Sequence, residues 1–289
     1  MATIAQTSDP KAALVRLLEH YSCEVTTRDQ KSLDAAGDLL RPKTRVFIAS
    51  FPKDTVDDFI RGATKLHRAG MVAIPHIVAR NIPSRAVLED MLARLSGEAG
   101  VDRAHVVGGD RDAPVGEYDS SLQLLQTGLF EKYGVNRIAL ACYPEGHPRI
   151  PEDVLESART EKMRVAAEQG LSVWLVSQFA FEAPPIVRLA RHLRSQGIEE
   201  PYRVGIAGPA SHATLLKYAM LCGVGTSLRA LKERRGLGRS ALGGETPEPL
   251  LKEIAVAREA EPDLGIAGVH FFTFGSLAQT AKWVESLRG

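Results

Sequence analysis

The chain has 289 residues, a formal net charge of +1, and is 44% hydrophobic, 25% charged and 6% aromatic. Balanced charge argues against nucleic acid, which needs a positive face. The three cysteines, Cys23, Cys142 and Cys222, are odd in number and far apart, which fits a reducing compartment rather than a disulfide framework. No apolar run reaches the ~20 residues of a membrane helix, and Met1–Pro10 lacks the charged-then-apolar order of a signal peptide, so a cytoplasmic protein with no membrane partner is expected.

An amphipathic helix is predicted around Ala12–His20, then a first strand at Tyr21–Thr27 and a second at Arg45–Phe51. Val56, Phe59, Ile60, Ala63 and Leu66 follow at helical spacing and Gly70 supplies the stop. Further strands are predicted at Met71–Ala79, Arg103–Gly108, Asn136–Tyr143, Leu171–Gln178, Tyr202–Ile206 and Gly268–Phe274. Several are apolar on both faces, as parallel strands covered by helices should be. Leu88, Met91, Leu92 and Leu95 form one intervening stripe, and Ile186, Leu189, Ala190 and Leu193 another. Thr246–Pro247 opens a helix carrying Leu250, Leu251 and Ile254, and Ser276 opens the last.

Eight βα units in this length predict an α/β fold, a closed (β/α)8 TIM barrel, as a single domain over 1–289 with a helical insertion at about 207–267. The rival is a doubly wound open sheet. It is weakened by the lack of G-x-G-x-x-G after the first strand and of any dividing linker.

The active site of such a barrel lies at the C-terminal strand ends. There the chain offers Glu24, Ser50, His76, Gly108-Gly109-Asp110, Tyr143 to Pro148, Gln178 and the segment His270 to Phe274. Polar groups converging on one mouth point to a small-molecule site. Each has a plainer reading: Glu24 in a salt bridge, His76 as a core histidine, Gly109-Asp110 as a turn. Gln178 ends an apolar run, and a buried amide requires a partner. Phosphate-loop, nucleophile-elbow and zinc-helix motifs are absent. His76, Asp110 and His147 would be the ligands of a metal-dependent barrel, a third-ranked reading. The basic run Arg229 to Arg239 reads as a solvated face or a grip on an anionic tail.

Five blocks, Ala73-Ile74-Pro75-His76, Gly109-Asp110, Ala141-Cys142-Tyr143-Pro144-Glu145-Gly146-His147-Pro148, Ser177-Gln178-Phe179 and His270-Phe271-Phe272-Thr273, are similar in order and spacing to those of the methylenetetrahydrofolate reductase family. The resemblance runs from about Tyr21 to the C-terminus. It implies an oxidoreductase that interconverts 5,10-methylenetetrahydrofolate and 5-methyltetrahydrofolate, with FAD as cofactor and NADH or NADPH as co-substrate. It implies Glu24 as general acid, Asp110 as catalytic and substrate-binding, and Gln178 and Phe274 as substrate-binding. Flavin contacts would be Ser50, His76, Gly109, Asp110, Tyr118, Ser120, Ala141, Tyr143 and His147, with no metal. The chain departs from the family at Gly108, Glu182 and Phe274-Gly275. The departures keep two alternatives open: direct hydride transfer from nicotinamide to folate without flavin, and a folate-binding relative that has lost catalysis. Tetrahydrofolate derivatives are the expected partners, and a homo-oligomer is left open.

Overall fold

Asp9 caps the first helix: its carboxylate accepts the Lys11 N–H at 3.0 Å, and Pro10 takes the first helical position of α1 (Pro10–Leu18). The computed structural model describes residues 9–224, 233, 238, 239 and 245–289. Beyond α1 run eight strands: β1 (Ser22–Thr26), β2 (Arg45–Ala49), β3 (Val72–Val78), β4 (Arg103–Val107), β5 (Arg137–Cys142), β6 (Ser172–Ser177), β7 (Tyr202–Ala207) and β8 (Ile266–Phe272). Their order round the wall is β1-β8-β7-β6-β5-β4-β3-β2, every pair parallel. Because β1 pairs with both β2 and β8, the sheet is closed. This is the predicted (β/α)8 barrel, and the open-sheet rival falls.

Among the described residues the remaining α-helices are, in chain order, α2 (Gln30–Leu39), α3 (Val56–Arg68), α4 (Arg85–Ala99), α5 (Ser121–Leu125), α6 (Leu129–Lys132), α7 (Glu152–Glu168), α8 (Ala183–Ser195), α9 (His212–Leu221), α10 (Glu248–Ala260) and α11 (Leu277–Arg288). They follow from local signals. Thr55 and Asp58 form a reciprocal capping box at the start of α3, which buries Phe59, Ile60, Ala63 and Leu66. The fourth unit departs from a simple repeat: a loop rich in Asp, Pro and Gly, residues 108–120, leads to two short helices, α5 and α6. Of the stretch 207–267, α9, α10 and a two-residue antiparallel ladder (Gly238–Arg239 with Glu245–Thr246) are described. Most of the basic run from Arg229 to Arg239 lies outside the described residues. Among the described residues no helix is long and apolar enough to cross a membrane.

The main core lies between wall and helices, and each large aliphatic buried there contributes about 1.5–3 kcal/mol. The register sets what fills the inside of the barrel. Ser22 pairs with Arg45 and with His270, Glu24 with Phe47, Phe47 with Ile74, His76 with His105, and Val176 with Arg203. Parallel partners share a face, so one inward set carries a carboxylate, three imidazoles and several guanidiniums. The apolar part of that set is small: Phe47, Ile74, Ala139 and Val176, with Trp174 against them.

Candidate functional site at the barrel mouth

Glu24 stands on β1 between Cys23 and Val25, which are buried towards the helices. Alternation turns the carboxylate inward. There Glu24 Oε2 lies 3.5 Å from His76 Nε2 and 3.9 Å from His270 Nε2. Ser22 Oγ shares a 3.0 Å hydrogen bond with His270 Nδ1, which turns Nε2 of that ring towards the carboxylate. His105 donates from Nδ1 to the Ala139 carbonyl at 3.1 Å, and its ring meets His76 edge-on at 4.7 Å. Phe47 wedges among the three rings, 4.3 Å from His270, 5.6 Å from His105 and 6.0 Å from His76.

Burial disfavours charge on these imidazoles. It lowers His76 well below the usual range, helped by His105 and His270, and lowers His105 to about 4. His270 is lowered too, although Glu24 pulls the other way. Two imidazoles whose burial favours the neutral form, His76 and His270, thus flank one carboxylate, with His105 against His76. His76 Nε2 is buried with no hydrogen bond, the Glu24 contact being too long to count as one. An orphaned buried ring nitrogen beside a carboxylate is the kind of group a bound ligand completes.

Above this layer the mouth has an aromatic side and a polar side. Phe179, Phe272 and Phe274 meet edge to face or stacked between 5.3 and 6.5 Å, and Phe274 stacks on Tyr218 of α9 at 4.1 Å and 19°. On the polar side Asp110 is exposed; its backbone oxygen accepts from Arg149, and its charge acts on Tyr143, His147 and Cys222. Gly109 precedes it at φ +103°, where a Cβ would lie 2.4 Å from Val78 Cγ1, so only glycine fits. Tyr143 and His147 meet edge-on at 4.9 Å.

The candidate residues divide accordingly. Glu24 and His76 meet in the interior, with Ala141 one inward step above Ala139 on β5. Asp110, Tyr143 and His147 share the polar rim. Gln178 Oε1 accepts the Phe179 N–H at 3.0 Å, so the next residue's backbone is the partner of this amide oxygen. Ser50 sits apart, hydrogen-bonded by Asn81 at 3.4 Å. Tyr118 is in the main core and Ser120 caps α5 with Gln123, so neither reaches the group formed by His76 and Glu24. His76, Asp110 and His147 form no ligand set; among the described residues no three His, Cys, Asp or Glu side chains could hold a metal ion. Ser22 and His105 were not among the candidates, and His270 was named only as part of a strand-end segment. The signal was present as polar residues two apart within strands, Ser22/Glu24 and Arg103/His105.

No family model matches the chain. Two similar solved structures are dihydropteroate synthases. That from Thermus thermophilus is 15% identical, with TM-score 0.51, covering 94% of this chain and 94% of that one. That from Yersinia pestis, solved with a pterine–sulfa conjugate, is 14% identical, with TM-score 0.50, covering 95% of this chain and 94% of that one. At this identity the likeness shows the fold. These findings correct the resemblance to the methylenetetrahydrofolate reductase family, and with it the flavin- and nicotinamide-dependent oxidoreductase. The blocks that carried it are strand ends and the turns after them, where any such barrel needs Pro, Gly and inward polar residues. They are short words that the rest of the chain does not extend.

Proposed function

We propose that the chain is a folate-binding barrel that takes a pterin- or folate-type small molecule in its C-terminal mouth. The observation that carries this is the Glu24–His76 pair, 3.5 Å apart, with His76 Nε2 buried and unbonded. A reduced pterin is flat and bears N–H donors and carbonyl acceptors along its edges. Phe274 and its neighbours offer a face for the flat surface, Asp110 accepts N–H donors at the rim, and Glu24 accepts a ring N–H from the floor. The two similar barrels support the ligand class, since both are dihydropteroate synthases and one holds a pterine–sulfa conjugate. Neutral imidazoles around Glu24 give the floor hydrogen-bonding capacity without positive charge, which suits an uncharged heterocycle.

Titration calorimetry with tetrahydrofolate, folic acid and pterin-6-carboxylate tests the reading. Saturable one-to-one binding is expected, weakened about tenfold or more by Glu24→Gln, the order of one charge-assisted hydrogen bond. A folded protein that binds none of the three at millimolar concentration removes the proposal.

A further inference from the structure

At the opposite end of the barrel, Arg45, Arg103, Arg137 and Arg203 hold inward register positions, Arg137 with its side chain half exposed at the opening. Arg45 shares the inward face of Ser22, Arg103 pairs in register with Arg137, and Arg203 pairs with the inward Val176. Arg45 is repelled by Arg103 and Arg137, and Arg203 by Arg45. Since β2 is three strands from β5 and three from β7 round the wall, these charges act on one another across the axis and not along the sheet.

Their compensation is thin. Arg103 binds Asp102 at 2.7 and 3.0 Å and Arg137 binds the same carboxylate at 3.2 Å. Arg203 donates to the neutral carbonyl of His20 at 2.6 Å, and Gly268 leaves it room, a Cβ there lying 3.2 Å from Nη1. Arg45 is half-buried, and no carboxylate is among the charges acting on it. Glu199 and Glu200, at the entry to β7, do not act on Arg45 or Arg203. One acid against four cations, two of them depressed by burial, is an unbalanced charge that folding alone does not call for. Trp174, on β6 one inward step above Ser172, is part-exposed, and its buried Nε1 has no hydrogen-bond partner.

We infer that this arginine layer is a second binding site, at the N-terminal end of the barrel, for a phosphoryl anion carrying two or more charges. Guanidiniums converging from opposite walls can grip a tetrahedral oxyanion from several sides, the geometry for which arginine is suited. The site is separate from the Glu24 mouth and does not depend on the ligand proposed there.

The probes are inorganic pyrophosphate and glucose 6-phosphate, followed by calorimetry and by Trp174 fluorescence. Saturable binding that weakens with salt is expected for at least one, and the tighter of the two names the source, free anion or phosphorylated metabolite. Arg45→Gln and Arg137→Gln should each weaken binding about tenfold, the share of a single guanidinium–phosphoryl hydrogen bond. Arg137 is 53% exposed, so its variant folds even if Arg45→Gln does not. Arg61→Gln, the same charge change on α3, should leave binding unchanged. No saturable binding of either probe, or an equal loss in Arg61→Gln, overturns the assignment. Glu24→Gln should leave pyrophosphate binding intact, so that failure at one end of the barrel is not mistaken for failure at the other.

Discussion

Glu24 and His76 come from strands that do not touch, yet their side chains lie 3.5 Å apart because both turn inward over the Phe47 ring. The same layer makes stability depend on pH. His105 has a folded pKa of about 4 against an ordinary 6.5, and His76 and His270 are lowered as well. The unfolded chain therefore takes up protons first as pH falls. Stability is complete above about pH 6.5 and declines below it until the folded values are reached. Each imidazole contributes a slope of up to ~1.4 kcal/mol per pH unit in that window. The melting temperature should drop between pH 7 and 5, before ordinary carboxylates titrate. His105→Asn should flatten the profile by one imidazole's share; an unchanged slope would mean that His105 does not set it.

Phe274 carries left-handed backbone, φ +50°, while stacking on Tyr218 at 4.1 Å. That conformation costs a bulky residue about 1–2 kcal/mol, and the stack returns ~0.5–1.5 kcal/mol beyond burial. Phe274→Ala and Phe274→Gly both remove the stack, but only glycine relieves the backbone. Chemical denaturation should find the alanine variant less stable by about 1 kcal/mol, the reverse of the usual order for these residues. Equal stabilities would mean the backbone is not strained. Both variants should bind tetrahydrofolate several-fold more weakly, because the stack holds α9 beside the mouth.

The eight strands were legible because parallel strands covered on both faces read as apolar runs, and their number against chain length gave the closed barrel. The inward charges were not. Arg45, Arg103 and Arg137 each open their strands, where a charged residue looks like a solvated entry. His105 is masked by Ala104, Val106 and Val107. Only the cross-axis register shows that these residues share a space. At the mouth, Glu24 and His76 were legible one by one, whereas Tyr118, which the resemblance sets against a flavin, is buried in the main core. The family resemblance failed for a related reason: strand-end words record what the mouth of a barrel requires more than which reaction it runs.

Gly109 makes the β4 end fit against β3. Alanine there must tolerate φ +103° and a Cβ 2.4 Å from Val78 Cγ1. The backbone term is about 1–3 kcal/mol, with the overlap added to it. Gly109→Ala should lower the denaturation midpoint sharply, and Val78→Ala in the same chain should recover the overlap but not the backbone cost. A double variant as stable as Val78→Ala alone would show that the loop relaxes freely. One no better than Gly109→Ala would show that Val78 is not the obstacle.

Cys222 reports on the mouth from the end of α9. Cys23 and Cys142 are buried at 0% and 2% exposure, whereas Cys222 is part-exposed. Burial, with Asp110 and Glu24 adding to it, pushes the Cys222 thiol from 9.0 up to about 11. Alkylation follows the thiolate fraction, so near pH 8 this thiol should react with iodoacetamide about a hundredfold more slowly than a free one. Raising the pH should restore the rate, and Asp110→Asn should speed it at fixed pH by removing one of the two carboxylates. Tetrahydrofolate seated between the aromatic and polar sides should slow it further. Labelling at the free-thiol rate, read by intact-protein mass spectrometry, would mean that Cys222 is neither enclosed nor near the two carboxylates, and the placement of α9 beside the mouth would fall with it.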